Sequence, residues 1–156
     1  MAQTGYTPIV LYHSSTGAAV PSAANLASGE LGLNIADMKL YCENSSGTVE
    51  MLCSPGIPQS GTAKTNNYSL ATGDVGQLIE VGTGGSITIP NSTFSTGDAI
   101  LVFNNTSGSI TITCNTTSAY IAGTDASKAS VSLATRGIAN ILFLSSTVCV
   151  ITGNVS

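Results

Sequence analysis

The chain has 156 residues with four Lys+Arg against eight Asp+Glu, so only 8% of it is charged and the net charge is −4. One residue in three is Ser, Thr or Asn, beside 17 Gly and 42% apolar residues. Four scattered cations make no basic stripe for nucleic acid, no apolar run approaches the about 20 residues of a membrane span, and the apolar content argues against disorder.

The opening MAQTGYTPIV has neither a positive n-region nor an apolar h-region. No signal peptide is expected, and the chain is expected to mature in the cytoplasm where it is made. Residues 7–13, TPIVLYH, read as a first strand, with Pro8 tolerable at its start or on an edge. Within 14–28, PSAANLA allows one or two helical turns opened by Pro21 or Ser22. The alternation of Leu31, Leu33 and Ile35 against Gly32 and Asn34 predicts a half-buried strand. Residues 36–38 connect it tightly to a strand over 39–43, and the Asn44-Ser45-Ser46-Gly47 turn leads into another over 48–53. A strand and a three-stranded meander therefore form an N-terminal module, 1–53.

Residues 54–67, SPGIPQSGTAKTNN, show no periodic apolar face and read as a linker. Beyond it, 68–156 reads as a series of short strands at 77–81, 86–90, 99–103, 109–114, 119–123, 129–133, 138–144 and 148–152. Gly82-Thr83-Gly84-Gly85 reads as a hairpin loop, and the continuous apolar run 99–103 as a strand covered on both faces. Turn signals every 8 to 12 residues in such a series predict an all-β fold, a β-sandwich or jelly-roll-like domain.

The titratable inventory is small. His13 has no nearby acid and no G-x-S-x-G elbow accompanies it, which leaves a Ser-His-Asp triad without support. Asp37, Asp74, Asp98 and Asp125 all lie beside Gly, Thr or Ala and read as turn stabilisers rather than paired acids. Arg136, the only arginine, could cap a turn, pair with an acid or cross a subunit boundary. Cys42, Cys53, Cys114 and Cys149 contain no C-x-x-C pair and read as buried free thiols. In a meander Cys42 would face roughly Glu50, out of reach of Cys53. The Asn-x-Ser/Thr matches at Asn44, Asn91, Asn104, Asn105, Asn115 and Asn154 are expected to stay bare. No catalytic residue, cofactor or metal site is expected.

Two stretches resemble known virion modules. Ala24-Asn25-Leu26-Ala27-Ser28-Gly29-Glu30-Leu31-Gly32-Leu33-Asn34, followed by Asp37-Met38-Lys39-Leu40-Tyr41 and Gly47-Thr48-Val49, is similar to the N-terminal module of the major tropism determinant proteins of tailed bacteriophages. There an L-x-x-G-E-L-G strand leads to a D-x-K-L-Y strand and a Gly turn. The resemblance implies a trimeric β-prism; Met38 stands where the family often has Gly. Tyr68-Ser69-Leu70, Gly97-Asp98, Phe103-Asn104-Asn105, Ile110-Thr111-Ile112, Ala122-Gly123, Leu133-Ala134-Thr135-Arg136-Gly137-Ile138-Ala139 and Ile151-Thr152-Gly153 resemble a β-rich C-terminal domain recurring in phage virion proteins, with Cys149 replacing a bulkier residue.

These resemblances imply a virion surface location after synthesis in a host bacterial cytoplasm. They also imply a non-enzymatic structural role, most simply a homotrimeric capsid decoration or cement protein bound to the major capsid protein. The alternative is a tail-fibre or tail adaptor protein touching tail proteins or a host surface glycan. Tyr6, Tyr12, Tyr41, Tyr68 and Tyr120, the residues that would supply a glycan platform, do not cluster in sequence.

Overall fold

The computed structural model describes residues 11–156, so Tyr6 and the 7–10 part of the expected first strand, with Pro8, lie outside the described residues. The chain is all β and divides into two compact units, the first ending at Gly56 and the second spanning Ile57–Ser156.

In the first unit β1 (Tyr12–Ser14), β2 (Leu31–Asn34), β3 (Lys39–Glu43) and β4 (Val49–Cys53) form one sheet in that order. β1 runs parallel to β2, and β2, β3 and β4 make the expected antiparallel meander. The expected helical turns reduce to one 3-10 turn, Ala23–Asn25, capped by Ser22 Oγ accepting from the Ala24 N–H at 3.3 Å. Asn34 organises the loops around the sheet. Its Nδ2 donates to the Thr16 and Ala19 carbonyls at 3.0 and 2.9 Å and to Asp37 Oδ2 at 3.1 Å, while its Oδ1 accepts from the Ala36 and Asp37 N–H groups. Asp37 Oδ2 in turn accepts from the Ala18 N–H at 2.6 Å.

Met38 follows with φ of 56° and is 68% exposed. A side chain in this left-handed region costs about 1–2 kcal/mol relative to glycine, part of which glycine returns through its freer unfolded chain. Met38→Gly is therefore expected to raise the unfolding free energy of this unit by up to about 1 kcal/mol, read by urea titration; a loss of stability would contradict the turn.

The strand at 31–34 is half-buried, but its enclosed side is the glycine and asparagine side. Gly32 and Asn34 are buried, whereas Leu31 and Leu33 remain partly open. Residues 21–26 lie over Gly32, where a Cβ would come within 2.8 Å of Pro21 Cγ, and they bury Leu26 there. The short side chains of Gly32 and Asn34 make the room that this covering segment occupies.

In the second unit β5 (Asn67–Ser69), β7 (Ser86–Ile89), β9 (Ile110–Cys114) and β11 (Ser130–Leu133) form one sheet, in the order β11-β9-β7-β5. Facing it, β6 (Leu78–Val81), β8 (Ala99–Asn104), β10 (Ser118–Ile121), β12 (Ile138–Ser145) and β13 (Val148–Gly153) form a five-stranded sheet in the order β10-β13-β12-β8-β6. Ile79, Val102, Ile141 and Ile151 from this sheet pack against Ile87, Ile112 and Leu133 from the other in one core. Phe94 stacks on Phe143 at 4.1 Å between centroids.

This is a sandwich of two mixed sheets, in which β9–β11, β8–β12 and β12–β13 pair antiparallel. The chain crosses between the sheets at every step from β5 to β12, and β5–β7, β7–β9, β6–β8 and β10–β13 all pair in parallel. Residues 82–85 accordingly form an arch between sheets, not the expected hairpin loop. A Cβ at Gly85 would run into the Lys64 carbonyl. Arch and hairpin share one signature, two alternating strands about a glycine turn, because alternation records which side is buried and not which neighbour accepts the backbone hydrogen bonds.

The expected linker belongs mostly to this unit. Residues 57–66 run along the open edge of β6, where Leu78 N–H donates to the Pro58 carbonyl at 2.8 Å and Lys64 N–H to the Glu80 carbonyl at 2.8 Å. Residues 67–69 are β5 itself. Two prolines removed the apolar periodicity that marks a strand, but an edge segment tolerates proline and pairs through backbone alone. β8, expected to be covered on both faces, buries Ile100, Val102 and Asn104 and leaves Ala99, Leu101 and Phe103 only partly covered.

Candidate interaction surfaces

Each unit presents a surface whose chemistry does not match its exposure. On the first, Leu31 and Leu33 of β2 adjoin Leu40 and Cys42 of β3, since Leu31 pairs with Cys42 and Leu33 with Leu40. All four are only partly buried. Cys53 pairs with Leu40 and Cys42 with Glu50, as the meander geometry required. Leu31, Leu33 and Leu40 are partly exposed on this side, while the other encloses Asn34 together with Tyr41 and Leu26; leaving leucine partly open while an amide is enclosed runs against what hydration favours. Exposed His13, opposite Leu33 on β1, has Nδ1 paired with the Leu11 carbonyl at 3.0 Å.

The two outer faces of the second unit contrast sharply. Alternate positions of the four-stranded sheet put Asn67, Ser69, Ser86, Thr88, Thr111, Thr113, Ser130 and Ser132 on its outer face, every one a hydroxyl or amide. The same alternation in the five-stranded sheet puts Leu101 and Phe103 of β8, Ile138, Leu142 and Leu144 of β12, and Val148 and Val150 of β13 on its outer face, interrupted by Glu80 of β6, Ser118 of β10, Asn140 of β12 and Thr152 of β13. Ile138, Leu142 and Leu144 are 47%, 37% and 48% exposed on the central strand. At one corner Glu80 accepts from Gln59 Nε2 at 2.8 Å and from Asn105 Nδ2 at 2.6 Å, and Arg136 donates to Asn105 Oδ1. Arg136 is thus joined to an acid through an asparagine.

The carboxylates occupy structural positions. Asp98 accepts from the Ser95 N–H at 2.8 Å within its turn. Asp74 is 2% exposed and accepts from the Ala71 N–H at 2.8 Å, from Ser60 Oγ at 2.7 Å and from the Tyr68 hydroxyl at 3.0 Å. Burial first, then the Asp74 carboxylate, push the Tyr68 hydroxyl above its ordinary range, which keeps it a donor. Lys64 Nζ lies 4.4 Å from the Tyr68 ring centroid and donates to the Ser60 carbonyl at 2.8 Å, completing the attachment of 60–64 to the sandwich. Asp125 is exposed. Among the described residues no three His, Cys, Asp or Glu side chains converge as a metal-binding group.

All four cysteines are free thiols, but only Cys114 and Cys149 are buried; Cys42 is half-buried and Cys53 exposed. The latter two lie in strands of the partly open N-terminal sheet, so the expectation of four buried thiols fails there. Burial, with a smaller contribution from neighbouring Cys149, pushes the Cys114 thiol up to about 12, and burial raises Cys149. Maleimide at neutral pH is expected to label Cys53 promptly and the two core thiols only on unfolding, read by peptide mass spectrometry. With folded-state values raised above the unfolded value of about 8.5, the stability these thiols contribute is complete below that pH. It is lost as pH rises toward about 12.

A hollow of about 400 Å³ lies between the 82–86 arch and the 106–111 turn, lined by Thr83, Ser86, Thr106, Ser107, Ser109 and Thr111 among others. A second, of about 370 Å³, lies on the aliphatic face over Ala99, Leu101 and Asn140, with Ile57, Gly76 and Gln77 at its sides. No protein-family model and no curated protein sequence matches the chain.

Proposed function

We propose that this chain is a structural protein of a tailed-bacteriophage virion, a homotrimeric capsid decoration protein that binds the major capsid protein and stabilises the shell exterior. The observation that carries this reading is the inverted burial of the first unit. Leu31, Leu33 and Leu40 stand partly in solvent while Gly32 and Asn34 are enclosed. An aliphatic sheet face left open in the single chain is complete only when copies share it. The Leu26-to-Gly32 and Asp37-to-Tyr41 patterns, similar to those of phage tropism modules, add the virion and the three-fold arrangement. A surface built mainly of hydroxyls, amides and aliphatics suits a scaffold rather than acid–base chemistry.

Static light scattering of the purified full chain is expected to return three chain masses, and a monomer at micromolar concentration would overturn the reading. Cryo-electron microscopy of virions carrying the chain is expected to place its density over the capsid lattice. Density at the tail alone would remove decoration and favour the tail-fibre or adaptor reading. The hydroxyl-lined hollow beside Thr83 and Thr111 is what favours that second reading, since such a surface suits the hydroxyls of a host glycan.

A further inference from the structure

We infer that the open edge of β4 receives an extended segment of another polypeptide, and that an arginine or lysine of that segment pairs with Glu43. The inference rests on the first unit alone and stands whether or not the chain belongs to a virion. Glu43 is 8% exposed, and its Oε2 is the one buried side-chain oxygen or nitrogen without a hydrogen-bond partner among the described residues. A carboxylate enclosed in this way is costly until a donor meets it. The described cations of the unit do not supply one. Lys39 stands four residues away on the same strand, about 13 Å along it, and His13 lies on the leucine face, level with Leu33.

The edge beside Glu43 offers the hydrogen bonds that an added strand needs. Glu43 pairs with Val49 of β4, and β4 ends the sheet. The Asn44 N–H donates to the Thr48 carbonyl at 2.9 Å, which sets the phase of the ladder. Antiparallel pairs alternate between hydrogen-bonded and non-hydrogen-bonded. Glu50 therefore turns its backbone groups to β3, and Val49 and Met51 turn theirs outward. Among the described residues nothing pairs with those outward groups. Segments outside the strands cover β6, β10 and β11. Of the other three edges β4 is the longest, with five residues against three in β1 and in β5. It contains no proline or lysine, and its bulge, at Leu52, lies beyond the outward groups. An edge left in this state is a template for strand addition.

Charge selects the occupant. An added strand lies two strand spacings from β3, about 9.6 Å. A long basic side chain opposite Val49 spans that distance to meet Glu43, and a short one does not. A second copy would have to offer one of its own sheet edges, and none of the six edge strands contains lysine or arginine. Pairing β4 with itself would bring in Glu50 again, in a chain whose net charge is already −4. The complement of this edge is a basic extended segment of a different protein.

The test uses the full chain and a capped hexapeptide of alternating threonine and valine with arginine in the third place, beside the same peptide with glutamine there. Titration calorimetry is expected to show the arginine peptide binding about tenfold more tightly than the glutamine peptide, with the preference gone in Glu43→Gln. Hydrogen exchange at the Val49 and Met51 amides should slow on saturation. Met51→Pro leaves the β3 ladder intact, removes one outward N–H and should abolish binding of both peptides; it serves as the second variant should Glu43→Gln disturb the fold. An arginine preference that survives Glu43→Gln overturns the pairing. Absence of binding, or binding with unchanged exchange at the two amides, overturns the edge as the site. Slow exchange at both amides in an oligomer of the chain alone would place a second copy there and overturn the foreign segment.

Discussion

Replacing Asn104 by alanine is expected to lower the unfolding free energy of the C-terminal unit by about 3 kcal/mol, whereas the same change at Asn105 should cost less than about 1 kcal/mol. Asn104 is fully buried at the end of β8. Its Nδ2 donates to the Gly108 and Ala134 carbonyls at 2.8 and 2.9 Å and to the Leu133 carbonyl at 3.3 Å. Its Oδ1 accepts from the Thr106 N–H at 3.0 Å and the Thr106 hydroxyl at 2.8 Å. One side chain thereby holds the 105–108 turn to the segment that follows β11. Alanine removes these bonds, takes this donor from the buried Leu133 carbonyl and opens a cavity, and each loss adds to the others. Asn105 is exposed and joins only Arg136 and Glu80 at the surface, where water replaces what the mutation removes. Paired urea titrations decide the matter, and similar losses at the two positions would show that Asn104 does not hold the turn.

That contrast also marks how far the sequence could be read. Asn104 follows Ile100 and Val102 in the same phase of one strand, and this phase, extended two residues, already placed it inward. The same Asn104 also opens an Asn-Asn-Thr-Ser-Gly run, a turn signature in which an asparagine ordinarily faces water. Asn34 is the same case, in phase with Gly32. Strand positions, the meander register that set Cys42 opposite Glu50, and the inward residues of the sandwich were legible because alternation is a local property. Sheet partners were not, since a glycine turn between two alternating strands serves an arch as well as a hairpin. The edge role of 57–66 was hidden because backbone pairing leaves no side-chain pattern. The open leucine face was hidden for a different reason. Apolarity reports which side ought to be buried, and in the single chain residues 21–26 cover the other side, against Gly32.

The open face yields the second large effect. Leu33→Asp is expected to convert the assembled chain to monomer at micromolar concentration while leaving the fold of the N-terminal unit nearly as stable as before. Leu33 lies beside Leu40 on the central strands of the sheet and is only partly buried in the single chain, so a carboxylate there stays hydrated and costs the monomer little. In an assembly that joins these faces, each copy brings its carboxylate into an apolar contact beside the others. An uncompensated buried charge costs about 3–5 kcal/mol, and three copies bring three like charges to one axis. The loss exceeds a factor of about 100 in association for each 3 kcal/mol, enough to dissociate a micromolar trimer. Thr111→Asp, on the hydroxyl face, supplies the control: it adds the same charge to a surface that already faces water and should leave the mass unchanged. Light scattering of the two variants at matched concentration reads the difference. A Leu33→Asp chain that remains trimeric would mean that the leucine face is not where the copies meet.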